Sequence, residues 1–404
     1  MKVLHIASAD SGGACGAAMR IHRCLHEFVP EVESKALVIW KNKDVESELY
    51  SIRDSYKGIR KLQLKIIDNV NNFVLNKIIK GKTNKLSVIY KNYRSFYRPE
   101  NHHLVADWAD VIHLHFTNNF INFPTFFKTI RKLNKPIVWS FHDMAPFTGG
   151  NPYENENMQE FLPIYDSFLE YKKKYLKKGH VFGHATTKVF KDKAVNKYHT
   201  YTEDNCNVIP YPLDTSVFNE KDRTFARNKY KLPLDKKILL FVCTNLKAVR
   251  KGFYLLNEKL DEIVKHDFHL AVVGRNISGI PDHEHIHKIG FIANPEDLSE
   301  LYSAVDLFVT PSIEEAYGQT TTEALACGTP VIAFQTAGAI AQILHGINGY
   351  LCEEISSQCL YENIVEAMDQ IWDRDSIASD AKSRFNAKDK AEEYFSMYKK
   401  MLNQ

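Results

Sequence analysis

Short apolar runs alternate with longer segments of helical period through the first half of this chain. Val3-Leu-His-Ile-Ala is an apolar run that meets Gly12, Gly13 and Gly16, after which Met19, Ile21 and Leu25 recur at helical spacing. Val111-Ile-His-Leu-His115 and Ile137-Val-Trp-Ser-Phe-His142 are two further runs of buried-strand type. Strand, helix and strand in succession predict an α/β domain with a parallel sheet covered on both faces. The pattern then starts afresh. Val208-Ile-Pro-Tyr-Pro-Leu-Asp214 is broken by prolines and reads as a linker. Ile238-Leu-Leu-Phe-Val-Cys243 follows as a strand, and a helix is expected around Gly252 to Val264. His269 to Gly274, Ile286 to Gly290, Leu307 to Thr310 and Val331 to Phe334 complete a second doubly wound domain. Near the end, Ala391, Tyr394, Phe395, Tyr398 and Leu402 share one face of a helix, so that face must be buried.

Size agrees with this division, because 404 residues exceed what one hydrophobic core usually serves. The composition is that of an ordinary globular chain, 44% hydrophobic and 25% charged. A net charge of +3 gives no footing for nucleic acid as a partner. Seven cysteines occur without any CxxC pairing, which fits a reducing compartment and no zinc ribbon. The N-terminus lacks the apolar stretch of a signal peptide, and no apolar run approaches the roughly 20 residues of a membrane span. A cytoplasmic protein is expected, either soluble or peripheral at the inner face of the membrane.

The most informative stretch is PSIEEAYGQTTTEALACGTPVIA. Glu315 follows a buried-type strand just before Gly318, and Glu323 lies in the helix that comes next. Strand, glycine turn and helix N-terminus make an anion-binding corner in an open α/β sheet. Two carboxylates there would repel a bare phosphate but can grip hydroxyls, as on a ribose and a sugar. The run also resembles the Glu-x7-Glu signature of the retaining glycosyltransferases of family 4, which have the GT-B fold. That resemblance implies that Glu315 lies by the donor sugar and Glu323 by the ribose of the nucleotide. It extends over nearly the whole chain and is strongest from 208 to 351.

Other candidates gain or lose by the same resemblance. A glycine-rich loop alone is as readily a tight turn, but in related enzymes it sits under donor phosphate or acceptor, which makes Gly12, Gly13 and Gly16 cleft residues. A lone histidine at a strand end is ordinarily structural. His142, however, stands in His-Asp-Met-Ala-Pro-Phe-Thr-Gly-Gly, which resembles the subgroup that builds colanic acid and other surface polysaccharides. That implies a histidine donating to a sugar hydroxyl or to the leaving group. The subgroup's cysteines after the glycine pair are absent here, replaced by Asn151-Pro-Tyr. Arg250 and Lys251 precede Gly252 at a helix start, a setting that suits a diphosphate. The family usually carries an arginine about six residues before this lysine. This chain has Asn245 instead; either Arg250 or Lys247 compensates, or Asn245 itself binds the phosphate through a weaker neutral hydrogen bond. Phe291 and Ile292 are candidate contacts for the nucleotide base, and the loop from Thr336 to Ala339 shapes the sugar or phosphate pocket or is a plain turn. His113 and His115 share a strand face and could hold a metal, but no third ligand suggests itself, so packing or acceptor contacts are favoured. Asp373 and Asp375 fall on a polar helical tail, and no metal motif emerges. The chemistry is expected to need neither metal nor cofactor, the leaving diphosphate being neutralised by cations and helix dipoles.

The segment from Lys57 to Arg98 is basic, with Ile59, Leu62, Ile66, Val70, Phe73 and Val74 at helical spacing. It reads either as a surface helix or as a patch for an anionic membrane. The expected organisation is an acceptor-side domain over 1–207 and a donor domain over 208–386. The resemblance implies a central cleft between them and a last helix, 387–404, that crosses back to the first. The implied function is transfer of a hexose from a nucleotide-diphosphate sugar to a glycan, lipid-linked or of a cell-surface polysaccharide, with closure of the domains excluding water. The alternatives are an inactive nucleotide-sugar binding protein, which the missing arginine supports, and an epimerase or phosphorylase on the same fold.

Overall fold

Each apolar strand run named above becomes a strand of a parallel sheet, inside it in every case but Ile286–Gly290, which lies at an edge. The computed structural model describes residues 1–42, 47–56, 58, 95, 97–154, 162–178 and 180–403. It divides into two compact units, Met1–Pro212 with Lys388–Gln404, and Leu213–Ala387. The described strands of the first unit are β1 (Lys2–Ala9), β2 (Glu33–Trp40), β3 (Leu49–Ser51), β4 (Val111–Leu114), β5 (Ile137–Ser140), β6 (Val181–Ala185) and β7 (Cys206–Val208). They form one parallel sheet in the order β3-β2-β1-β4-β5-β6-β7. The second unit has β8 (Ile238–Asn245), β9 (His269–Arg275), β10 (Ile286–Gly290), β11 (Leu307–Thr310), β12 (Val331–Phe334) and β13 (Gly349–Cys352). Its sheet is also parallel, in the order β10-β9-β8-β11-β12-β13.

Both sheets are doubly wound and Rossmann-like. Chain order reverses between β1 and β4 in one and between β8 and β11 in the other. Loops leaving the carboxyl ends of these strand pairs diverge to opposite faces, which opens a crevice where such sheets bind ligands. Every residue of β4, β5 and β12 is buried, because helices cover both faces and no alternation of polar and apolar positions is needed. Two apolar layers line the second sheet, one around Leu240, Tyr302, Phe308 and Leu325, the other around Phe241, Leu256, Val309 and Ile332.

Two sequence expectations are corrected by packing. The helix expected from Gly252 to Val264 is two helices, Phe253–Glu258 and Leu260–Lys265. Lys259 leaves helical geometry between them (φ −106°, ψ 8°). The break turns Leu260 and Ile263 into the layer that Leu255 and Leu256 already occupy. In the last helix, Ala387–Leu402, the buried face is Lys390, Ala391, Tyr394, Met397, Tyr398 and Met401. Phe395 is half-buried and Leu402 exposed, since the sheet surface selects the stripe through Tyr394 and Tyr398. Asp373 caps the helix Arg374–Phe385, its Oδ1 accepting the Ser376 N–H at 3.0 Å.

Among the described residues no helix is long and apolar enough to cross a membrane. All seven cysteines are unpaired thiols. The basic segment proposed for a membrane surface falls almost entirely outside the described residues.

Candidate functional site

Two loops at the β8/β11 switch point bring together the charged groups of the second unit. The first leaves β8, makes a short turn at Val249–Lys251, and enters the helix Phe253–Glu258 through Gly252. Gly252 has φ +68°, and a Cβ there would lie 1.7 Å from the Pro311 carbonyl oxygen. Only glycine allows this approach of the β8 loop to the β11 loop. The Ile313 N–H donates to the Arg250 carbonyl at 2.9 Å, which ties the two loops by backbone as well. Arg250 Nη1 donates to the Glu314 carbonyl at 2.5 Å and lies 3.5 Å from Glu315 Oε2. Lys251 Nζ donates to the same carboxylate oxygen at 2.5 Å. Burial by itself would raise the Glu315 carboxyl, but the Lys251 and Arg250 cations outweigh it and hold the group below the usual carboxylate range. The result is a fixed carboxylate flanked by two cations, all three still partly open to solvent.

Glu315 and Glu323 are differently placed although one motif carries both. Gly318, at φ +83°, starts the helix Gln319–Ala326, and Glu323 lies within it, only 4% exposed. The Tyr302 hydroxyl donates to Glu323 Oε2 at 3.3 Å. Asn245 holds its own loop: its Oδ1 accepts from the Lys247 N–H at 3.1 Å and from Asn276 Nδ2 at 3.0 Å. At the carboxyl ends of β9 and β10, Phe291 is exposed and carries the Arg275 guanidinium 4.3 Å from its ring centre. Ile292 is half-buried against the core. Thr336 caps the helix Ala337–Gln342. Gly338 is required there because a Cβ would lie 1.9 Å from the Tyr317 carbonyl oxygen.

In the first unit, the β1 loop and the ends of β4 and β5 carry the remaining candidates. Gly12 (φ +91°) precedes the helix Gly13–Phe28. Gly12 and Gly13 are exposed and Gly16 half-buried. A Cβ added at any of the three would meet nothing within 4 Å, so the backbone here is open to a close approach from outside. His142 follows β5 and has both ring nitrogens engaged. Its Nε2 lies 3.1 Å from His115 Nδ1, and its Nδ1 lies 2.5 Å from the Tyr211 hydroxyl. His115 Nε2 continues the row to His5 Nδ1 at 2.9 Å, where His5 Nε2 is buried with no partner. Three neutral imidazoles in a row can carry their protons in only one sense at a time. The direction in which Tyr211 orients its O–H therefore sets the tautomer of His142, His115 and His5 together. Burial keeps them neutral: His142 is held down at about 3, and His115 and His5 lie well below the ordinary imidazole value.

A second row runs beside the first. His113 Nδ1 pairs with the Tyr398 hydroxyl at 2.7 Å and its Nε2 with Ser140 Oγ at 2.8 Å. Ser140 Oγ reaches His184 Nδ1 at 2.6 Å, and His184 Nε2 pairs with the Ile209 carbonyl at 2.8 Å. The expectation that no third histidine stands near His113 and His115 is corrected. Register pairs His5 with His113 across β1 and β4, and one nitrogen from each of His5, His113 and His115 lies within 4.8 Å of the others. Every ring nitrogen of the trio except His5 Nε2 is already in a hydrogen bond, so the cluster is satisfied as a polar core. Sequence reasoning missed His5, Ser140, His184 and Tyr211. One signal could have found three of them: β1, β4, β5 and β6 each carry a histidine or serine, His5 in register with His113 and Ser140 with His184.

Lys172 was also missed. Its Nζ donates to the Thr148 carbonyl at 2.8 Å and to the Ala145 carbonyl, pinning the loop that follows His142. Burial lowers its ammonium to about 7, with Asp143 acting against the shift. Gly149 lets that loop touch the helix Leu162–Leu176, since a Cβ would lie 1.9 Å from the Tyr165 carbonyl oxygen.

Known proteins resemble this chain at both levels. The structure of the Anabaena protein HepE in complex with UDP and glucose superposes with a TM-score of 0.68 at 16% identity, covering 99% of each chain. Sucrose-phosphate synthase from Thermosynechococcus elongatus gives 0.71 at 17% identity, covering 100% of this chain and 99% of that one. These likenesses show the fold, that of the GT-B glycosyltransferases. By sequence, N-acetyl-alpha-D-glucosaminyl L-malate synthase of Bacillus anthracis is 26% identical over 167 residues, 39% of this chain and 44% of that protein. D-inositol 3-phosphate glycosyltransferase 2 of Catenulispora acidiphila is 30% identical over 157 residues, 34% of this chain and 36% of that one. The chain thus spans well under two thirds of each of these relatives. The stretch that carries β8 to β13, residues 236–370, matches the family model for the group 1 glycosyl transferases.

Proposed function

We propose that this chain is a retaining glycosyltransferase that moves a hexose from a nucleotide-diphosphate sugar to a glycan acceptor, lipid-linked or part of a surface polysaccharide. The observation that carries the reading is the Lys251–Glu315–Arg250 cluster at the β8/β11 switch point, inside the segment that matches the group 1 family. Lys251 and Arg250 are the cations for a diphosphate, and they are held in place beforehand by the carboxylate and the Glu314 carbonyl. A diphosphate arriving there would draw the two cations partly away from Glu315, leaving that carboxylate to accept from donor-sugar hydroxyls. Glu323, reached through the Gly318 turn, is assigned to the ribose, and Phe291 with Ile292 to the base. HepE, similar in fold, is recorded with UDP and with UDP-glucose, which supports a nucleotide sugar as the donor.

His142 is assigned to a donor-sugar hydroxyl or to the leaving group. Because Tyr211 holds Nδ1 and His115 holds Nε2, substrate engagement requires Tyr211 to yield. The open backbone at Gly12, Gly13 and Gly16 is assigned to the phosphate or acceptor. No protein nucleophile is proposed. Departure and attack take place on one face of the sugar, with the β-phosphate accepting the acceptor proton, and two fixed cations supply leaving-group stabilisation without a metal.

The test is release of nucleoside diphosphate from a panel of UDP-, GDP- and ADP-sugars, with and without glycan acceptors. Turnover abolished by Glu323→Ala and by His142→Ala supports the enzyme. Tight donor binding with no turnover across a broad acceptor panel would sink it in favour of a binding protein. Dependence on inorganic phosphate would indicate a phosphorylase. Peripheral attachment is part of the proposal through 57–98. It requires sedimentation with anionic vesicles, and binding that survives charge reversal at Lys61, Lys65, Lys77 and Lys80 would count against it.

A further inference from the structure

We infer that Asp267, His269 and His285 form a site for one divalent transition-metal ion of the zinc class, at the end of the second sheet away from the proposed donor loops. Asp267 lies just before β9, His269 opens it, and His285 immediately precedes β10. They therefore sit at the amino ends of these strands. Gly274, Arg275 and Phe291 lie at the carboxyl ends, roughly 20 Å away along a seven-residue strand. One donor atom from each of the three residues lies within 4.8 Å of the other two. That is the span over which small side-chain adjustments bring nitrogen and oxygen to about 2.0–2.2 Å from a shared zinc ion.

The backbone that presents these groups is fixed. Asp267 takes a left-handed conformation (φ +61°) as the chain turns into β9. The His269 N–H donates to the Lys237 carbonyl at 2.9 Å, and the Leu270 N–H donates to the His285 carbonyl at 2.8 Å, which locks the amino ends of β9 and β10 together. The rings of His269 and His285 stack with centres 4.4 Å apart. His285 Nε2 lies 3.8 Å from Asp267 Oδ1, too long for a hydrogen bond, and its Nδ1 is buried with no partner. Nδ1 of this ring is thus unmet beside a carboxylate and a second imidazole. A metal ion bound at that nitrogen would satisfy it.

Supporting groups are also in place. His269 Nδ1 lies 3.0 Å from His287 Nε2. When the Nδ1–H donates to His287, the other nitrogen of His269 keeps its lone pair for the ion, the usual arrangement around metal-bound histidine. Lys236 Nζ takes Asp267 Oδ2, which leaves Oδ1 as the oxygen facing His285. Asp267 is exposed and His269 buried, so the cluster is open to solvent on one side only. Two imidazoles, one carboxylate and a water complete a tetrahedral set of a kind that suits zinc better than calcium or magnesium. The ion would clamp the edge strand β10 onto β9.

The full-length protein, dialysed against chelator, is titrated with zinc chloride by calorimetry, and its melting temperature is recorded with and without zinc. Cobalt(II) serves as the coloured probe. The expected result is one equivalent of zinc, a higher melting temperature, and the intense visible bands of tetrahedral cobalt. Asp267→Asn and His285→Ala should each weaken zinc binding at least tenfold, and His287→Ala should weaken it by about 10- to 100-fold. Asp267→Asn alters an exposed side chain, so it tests the site even where a histidine variant fails to fold. Absence of saturable zinc uptake by the unaltered protein would overturn the inference. So would uptake and cobalt spectra unchanged in Asp267→Asn and in the His269→Ala/His285→Ala double variant.

Discussion

Gly252→Ala tests the meeting of the β8 and β11 loops most sharply. The substitution adds one methyl group in a left-handed backbone position. That conformation alone costs a non-glycine residue about 1–2 kcal/mol. The added Cβ would also lie 1.7 Å from the Pro311 carbonyl oxygen, where real Cβ atoms do not come within 3.0 Å. Backbone faces it, not a flexible side-chain tip, so one of the two loops must move by roughly 1.3 Å, the kind of overpacking that costs about 1–3 kcal/mol. The expected loss of stability is therefore about 2–5 kcal/mol. It is read as a lower urea midpoint at unchanged slope. Moving the loops also separates Lys251 from Glu315. A displacement near 1 Å in positioning residues lowers turnover by about a hundredfold, so donor turnover should fall further than the folded fraction does. A Gly252→Ala protein with the parent's midpoint and the parent's donor turnover would refute this geometry, whatever the substrate proves to be.

Gly13→Ala should behave oppositely. Its backbone is compatible with alanine and no atom lies within 4 Å of the new Cβ, so stability should hold or rise by about 0.4–1 kcal/mol, while transfer falls if a ligand approaches this backbone; unchanged kcat/KM would remove the glycine loop from the site. Lys172→Met should cost about 1–3 kcal/mol, because the Thr148 and Ala145 carbonyls lose a charged donor, and a parent-like urea midpoint would show that Lys172 does not pin the loop. Acid should destabilise the first unit. The buried imidazoles of His5, His113, His115, His142 and His184 titrate below their ordinary value when folded, the last two at about 3 and 4. The unfolded chain therefore takes up protons that the folded one refuses as pH drops below about 6.5, at a cost approaching 1.4 kcal/mol per pH unit for each such ring. This stabilisation is complete above that pH and is lost as pH falls toward the folded values; a urea midpoint that stays flat from pH 7 to 5 would contradict it.

Local sequence determined a good deal here. Runs such as Ile238 to Cys243 and Val331 to Phe334, short, β-branched and bounded by turn residues, read as buried strands, and their alternation with helical periods argues for two parallel sheets. The run from Leu307 to Gly328 announces its own strand, turn and helix because each feature depends on neighbours a few residues away. The resemblance assigns Lys251 and Glu315 to one donor, but their direct ion pair is seen only in the fold.

Tertiary structure decided what depends on register between distant strands. His5 and His113 are 108 residues apart, and only the pairing of β1 with β4 brings their rings together. The same holds for Tyr211 on His142, and for His285 beside His269 at the amino ends of β9 and β10. Helical periodicity could not choose between the stripe through Phe395 and Leu402 and the one through Met397 and Met401, because both are apolar; the surface of the first sheet chose. Asn245 shows the limit from the other side. Its place is that of the family's phosphate-binding arginine, and no spacing shows that its side-chain oxygen holds the Lys247 amide and Asn276 in the folded loop. A sequence lists which groups a chain carries, but which of them can reach each other is fixed only once the sheets have chosen their order and register.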